Sequence, residues 1–299
     1  MVRLRAVVPP HCADILVKLE WENPTGSMKD RMARSVISRA EENGRLERGD
    51  TVVEYTGGST GASLAFVCAA KGYRLKIVSS DAFSREKLDH MAALGAELTL
   101  VRSEGGLTTK KLILDMIEAA RALSREPRTF WTDQLNNLNS IAGYHSLGEE
   151  IWTQTSGKID AFVHCVGTAA SLRGVAEALK RHKADVEIVA VEPAESSVLR
   201  GGPAGPHGVR PPDRCRASRR HAHTRPHLAA QPPHPQRPVS DGRQGGRRGP
   251  HHREPGREEN PHRGQLQQGQ VRPHAVASAE HGRHRRASIR EGVSCPVSK

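Results

Sequence analysis

No aromatic side chain follows Phe162 in this chain of 299 residues, and that asymmetry limits which part of it can build a core. All ten Phe, Trp and Tyr lie before residue 163, while residues 201–299 keep only nine Val, Leu, Ile or Met. The last third instead carries 14 of the 19 prolines, 11 of the 16 histidines, and 18 arginines beside a single lysine, Lys299. Such a stretch cannot bury enough apolar surface to offset roughly 1–2 kcal/mol of backbone entropy per residue. Charge divides at the same place. Basic and acidic residues number 26 each in residues 1–200, so the whole net charge of +12 belongs to residues 201–299. The fold is expected from residues 1–207, with 208–299 as a disordered basic tail.

Within the first 200 residues, strand-like and helix-like segments alternate. Residues 13–20 alternate apolar and polar side chains like a half-buried strand. Residues 30–43 space Met32, Val36, Ile37 and Ala40 on one helical face, with Gly44 as a stop. Strands follow at 51–55, 75–79, 96–101, 161–166 and 187–191; helices are predicted at 62–70, 84–94, 108–123, 140–153 and 171–181, with a long connection before residue 140. Strands separated by helices of this length pair in parallel, giving an α/β sheet covered on both faces. Ligands then bind at the carboxyl ends of the strands, where the small-residue turns 56–61 and 167–171 fall.

No apolar run approaches the roughly 18 residues of a membrane span, and no signal-peptide hydrophobic region follows Met1-Val2-Arg3-Leu4-Arg5, so a soluble cytoplasmic protein is expected. The five cysteines, Cys12, Cys68, Cys165, Cys215 and Cys295, are scattered. They argue against disulfide or zinc frameworks, and three are expected as buried thiols. His221, His223, His227, His251 and His252 have no ligand spacing, and no metal is expected.

Three segments carry candidate chemistry. In Asn23-Pro24-Thr25-Gly26-Ser27-Met28-Lys29-Asp30-Arg31 a lysine opens a helix, where the helix dipole disfavours a cation, the condition that suits an amine for imine chemistry. Taken alone, a lysine there is more often a solvated surface residue. Thr56-Gly57-Gly58-Ser59-Thr60-Gly61 joins a strand to a helix and offers backbone N–H groups and hydroxyls to a carboxylate or phosphate; the plainer reading is a tight turn. Val166-Gly167-Thr168-Ala169-Ala170-Ser171 repeats this arrangement, and no G-K-[ST] follows to make it a nucleotide loop.

Together, in this order, these segments resemble the cysteine synthase and cystathionine β-synthase family of pyridoxal phosphate-dependent enzymes. SREKLDHMAALGAEL, Asp133-Gln134-Leu135-Asn136-Asn137 and LRGVAEALK after GTAAS extend the resemblance to about His207. It implies a two-domain, three-layer fold of the tryptophan synthase β-like type (fold type II). Residues 1–22 and 134–207 would form part of a large cofactor-binding domain, and residues 23–133 a small α/β domain. It also implies that Lys29 is the catalytic residue, bonded to pyridoxal 5'-phosphate and, once released by the incoming amino acid, the base at its α-carbon. Thr56, Gly57, Gly58, Ser59 and Thr60 would grip the substrate carboxylate with Gln134. Gly167, Thr168, Ala169, Ala170 and Ser171 would hold the cofactor phosphate. Ser59 stands where the family usually has an asparagine near the cofactor 3'-oxygen, and Ala169 and Ala170 replace customary glycines. The loop's backbone donors survive that change only if no residue there needs a positive φ. The implied reaction is β-replacement on O-acetylserine or O-phosphoserine by a sulfur nucleophile to give cysteine, with a homodimer as the family's usual state.

From about Gly208 the pattern ends. The family's later strands, and the hydroxyl that faces the cofactor's pyridine nitrogen, have no equivalent. The Arg/Pro/Gly/His-rich replacement has the composition of GC-rich DNA read in a shifted frame, so a frameshift near codons 207–209 is expected. With the large domain incomplete, an open sheet edge and low solubility and turnover are expected. A cystathionine β-synthase-like enzyme stays open as an alternative. So does a non-enzymatic remnant whose basic tail binds nucleic acid unspecifically.

Overall fold

Thr51–Tyr55 is buried at every position, as a central strand of a parallel sheet covered on both faces must be. The computed structural model describes residues 1–6, 8–9 and 11–202, together with the backbone of 215–219 and 274–279. The strands are β1 (Val2–Arg3), β2 (Asp14–Leu19), β3 (Thr51–Tyr55), β4 (Arg74–Ser80), β5 (Glu97–Val101), β6 (Thr129–Trp131), β7 (Ala161–Cys165), β8 (Glu187–Pro193), β9 (Cys215–Arg219) and β10 (His274–Ala279). The helices are α1 (Lys29–Glu42), α2 (Ser59–Lys71), α3 (Arg85–Ala93), α4 (Lys110–Leu123), α5 (Asn139–Ala142), α6 (His145–Gln154) and α7 (Ala170–His182).

Two sheets result. The smaller runs β5-β4-β3-β6 and is parallel throughout. The larger runs β1-β2-β10-β7-β8-β9, parallel except for the pairs at its two ends. This is the α/β architecture that the alternating pattern predicts. Val36 and Ile37 of α1, Leu64 of α2, Leu147 and Ile151 of α6, and Phe162, Val175 and Leu179 around β7 and α7 belong to one buried cluster that joins the two sheets. Val53, Tyr55 and Val78 pack with Leu112 and Met116 of α4 in a second cluster on the other face of the small sheet.

Local signals set the helix ends. The Thr109 hydroxyl accepts from Leu112 N at 3.1 Å and opens α4, an N-cap of the usual kind. Gly72, in the left-handed region at φ 78°, closes α2. Other boundaries depend on contacts made elsewhere. α2 begins at Ser59, three residues ahead of the apolar periodicity. β6, only three residues long, falls in the stretch read as connection, since it is defined by pairing with β3 rather than by its own pattern. The helix predicted at 140–153 is broken into α5 and α6 around Gly143. A Cβ there would lie 2.8 Å from the Arg31 carbonyl oxygen of α1, so the close approach of two backbones requires glycine.

Two further differences are corrections. β9 and β10 fall inside the stretch read as a disordered tail, with β10 lying between β2 and β7. A parallel sheet interrupted there leaves unpaired N–H and C=O groups on both neighbours, and the uncharged sequence AVASA pairs with them without needing strand periodicity. The rest of 208–299, including the five histidines named above, lies outside the described residues. Three of the five cysteines are expected as buried; of the three whose side chains are described, only Cys68 is buried, Cys12 is half-buried and Cys165, at the end of β7 where the strand opens into a turn, is exposed. Burial pushes the Cys68 thiol up to about 12. Among the described residues, no helix is long and apolar enough to cross a membrane.

Candidate active site

Lys29 is the first residue of α1 and is half-buried. Its loop is held from both sides. Asp30 accepts from the Thr25 backbone N–H at 2.9 Å and from the Thr25 hydroxyl at 2.6 Å, and Ser27 Oγ accepts from Lys29 N at 3.2 Å. Thr25 Oγ1 also lies 3.1 Å from Ser63 Oγ, tying this loop to α2.

Behind the loop, Arg31 bridges two carboxylates. It reaches Glu20 at 2.7 and 3.0 Å and Glu150 of α6 at 2.7 and 2.8 Å. Lys18 adds a bond to Glu150 at 2.7 Å, and Asn23 one to Glu20 at 2.9 Å. Burial opposes the Arg31 charge, but the hydrogen bonds that it donates to Glu150 and Glu20 outweigh it and hold the guanidinium well above its ordinary range. This network fixes the start of α1 against the short helical turn Glu20–Glu22 and against α6.

The second turn lies at the carboxyl end of β3. Thr56 is buried and its hydroxyl accepts from Gly58 N at 3.2 Å. The Phe83 ring lies against Gly57, where any Cβ would overlap it. Ser59 and Thr60 open α2, whose first-turn N–H groups receive no side-chain cap, the arrangement that favours an anion. Gln134 joins this turn from the other side: its Oε1 accepts from the Thr60 hydroxyl at 2.7 Å, and its Nε2 donates to Tyr55 O at 3.4 Å.

The third turn follows β7. Ala169 is the N-cap of α7, with φ 63° and ψ −10° and no side-chain cap, and Ala170 and Ser171 form the helix's first turn. So one of the two alanines that replace glycine does occupy the left-handed region, and the loop keeps its shape at the cost of local strain. His164 Nε2, from within β7, lies 2.9 Å from Ser171 Oγ.

Pyridoxal 5'-phosphate needs an amine, a cluster of donors for its phosphate and space between them. A Cβ at Gly167 would meet nothing within 4 Å, so open space lies before the third turn. The uncapped N–H groups of α7 and the Ser171 hydroxyl are the required donor chemistry. The residues present fit the group.

A family profile described as pyridoxal-phosphate dependent enzyme matches residues 1–238. The chain belongs to that family. Cysteine synthase of Staphylococcus aureus is 43% identical over 209 residues, which cover 69% of this chain and 66% of that protein. Cysteine synthase B of Salmonella typhimurium is 41% identical over 202 residues, 67% of this chain and 65% of its own length. The crystal structure of a cysteine synthase from Entamoeba histolytica superposes with a TM-score of 0.64 at 37% identity, covering 70% of this chain and 62% of that one. The chain thus spans slightly under two thirds of the length of the curated relatives it matches. The tryptophan synthase β-like fold expected from the motifs is the fold observed.

Sequence reasoning missed two side chains at the site. Glu54 has an exposure of 0% yet sits directly below the second turn. His164 is likewise buried, behind the third. Both had a readable signal: a single ionisable residue within an otherwise apolar strand just before a small-residue turn.

Proposed function

We propose that this member of the pyridoxal-phosphate dependent family binds the cofactor through Lys29 and the head of α7, and acts on an activated serine, O-acetylserine or O-phosphoserine. The β-substituent is replaced by a sulfur nucleophile, giving cysteine and releasing acetate or phosphate. The observation that carries this reading is the 3.1 Å contact between Thr25 and Ser63, which joins the loop that presents Lys29 to the helix whose first turn offers donors to a carboxylate.

When bound, the cofactor supplies an electron-withdrawing ring that accepts the electron pair left at the substrate's α-carbon. The chain's residues do the rest. Gly167, Thr168, Ala169, Ala170 and Ser171 orient the phosphate through backbone N–H groups and the Ser171 hydroxyl. The first turn of α2, with Thr56, Gly57, Gly58, Ser59 and Thr60, binds the amino-acid carboxylate, and Gln134 braces Thr60. Lys29 Nζ takes the proton from the α-carbon and holds it for return. Replacement by a sulfur nucleophile is the part of this reading that the cysteine synthases among the relatives support.

Absorbance of the full chain mixed with pyridoxal 5'-phosphate tests it. A visible band that is removed by borohydride, changes on adding O-acetylserine and is missing in Lys29→Ala is expected. An identical, borohydride-sensitive band in Lys29→Ala refutes the assignment of Lys29.

A further inference from the structure

The parallel ladder between β3 and β6 is short. It pairs Thr51, Val52 and Val53 with Thr129, Phe130 and Trp131, and its last bond runs from Thr132 N to Val53 O at 3.1 Å. Past that point the two chains lead to different parts of the site, β3 into the turn 56–60 and β6 into Gln134. Backbone N–H groups on both sides lose their sheet partners there, and buried donors need acceptors.

The Glu54 side chain fills that gap. Its Oε1 accepts from Tyr55 N at 2.8 Å and lies 3.5 Å from Trp131 Nε1, while its Oε2 accepts from Gln134 N at 3.0 Å and from the Thr132 hydroxyl at 2.5 Å. A carboxylate has acceptor sites for all of these at once, which no neutral side chain of that length offers. Gln134 is thereby fixed at three points: its main-chain N–H by Glu54, its Nε2 by Tyr55 O and its Oε1 by the Thr60 hydroxyl. A buried carboxylate is costly to keep. Desolvation pushes it up to about 7, against the lowering effect of Thr132, Gln134 and Tyr55; Asp133 adds a further upward push.

We propose that Glu54 is the positioning residue of the substrate grip: it sets Gln134, and through Gln134 the Thr60 hydroxyl, so that the first turn of α2 is held in the geometry that takes an amino-acid carboxylate. This rests on the amino-acid-binding reading above and adds to it the residue on which that binding depends.

A double-mutant cycle separates positioning from general support of the fold. The full chain loaded with pyridoxal 5'-phosphate is titrated calorimetrically with L-serine at about pH 8, above the value of about 7 to which the Glu54 carboxyl is raised, as unaltered protein, Glu54→Gln, Gln134→Ala and the double variant. Each single change is expected to weaken L-serine binding about tenfold, the scale of one charge-assisted hydrogen bond. The double variant should bind within about twofold of Gln134→Ala alone, because the proposal has Glu54 set the grip by way of Gln134. Cofactor uptake should be the same in all four. Losses that multiply to about a hundredfold, or L-serine binding by Glu54→Gln equal to the unaltered chain's, overturn the proposal. If Glu54→Gln fails to fold, Thr132→Val takes its place in the cycle, since it loosens the same carboxylate oxygen that holds Gln134, and it is judged by the same criterion. Cofactor and L-serine binding with an additive cycle refutes only the role of Glu54. An unaltered chain that takes up no cofactor refutes the functional reading and the proposal together.

Discussion

Exchanging alanine for glycine at Ala169 and at Ala170 should change stability in opposite directions, although the two residues are adjacent and chemically identical. Ala169 sits at φ 63° and ψ −10°, where an L-residue's Cβ crowds the following carbonyl at a cost of about 1–2 kcal/mol. Glycine avoids that contact but loses about 0.5–1 kcal/mol more backbone entropy on folding. The balance makes Ala169→Gly more stable by about 0.5–1 kcal/mol, a rise of about 2–4 °C in Tm per kcal/mol for a unit of this size. Ala170 is the first helical residue of α7 and is 6% exposed. Glycine there costs about 1 kcal/mol in helix propensity alone. Urea and thermal unfolding of the full chain, followed by circular dichroism, measure both. An Ala169→Gly midpoint at or below that of the unaltered chain, or shifts of the same sign for the two variants, would show that the turn is not strained at Ala169. If the same backbone presents donors to the cofactor phosphate as proposed, Ala169→Gly should bind pyridoxal 5'-phosphate at least as tightly as the unaltered chain.

Two other changes probe the surroundings of the site. Arg31→Ala leaves Glu20, 1% exposed, without its cation; a loss of about 3 kcal/mol is expected from breaking a buried pair, and Arg31→Lys should restore only part of it, since an ammonium cannot bridge Glu20 and Glu150 as the planar fork does. A stability change under about 1 kcal/mol for Arg31→Ala, read from urea unfolding, would contradict that role. Glu54 has its carboxyl raised from 4.5 to about 7 in the folded chain. Between those values the unfolded chain releases the proton and the folded chain keeps it, so this group makes stability fall as pH rises across that window and adds no further slope above it. The full drop is about 3 kcal/mol at 1.36 kcal/mol per pKa unit. Urea midpoints from pH 4 to 8 should fall more steeply for the unaltered chain than for Glu54→Gln, and parallel curves would refute the shift.

The sequence by itself determined the elements whose signals are local. Met32, Val36, Ile37 and Ala40 marked α1, the β-branched and aromatic run at 51–55 marked β3, and the Lys29, Thr56–Thr60 and Gly167–Ser171 segments marked the candidate site and the family. It also confined the core to the residues that have apolar and aromatic side chains to bury. Tertiary structure alone decided what depends on partners distant in the chain. β6 exists because β3 pairs with it, α5 and α6 separate because α1 touches Gly143, and Arg31 reaches a carboxylate 119 residues away. The polarity of Glu54 was plain in the sequence, but that its carboxylate takes over from an ending strand ladder was not. Periodicity and propensity record how each residue suits its own segment, whereas hydrogen-bond partners, strain at Ala169 and burial of an ionisable group are set by which segments the folded chain brings together.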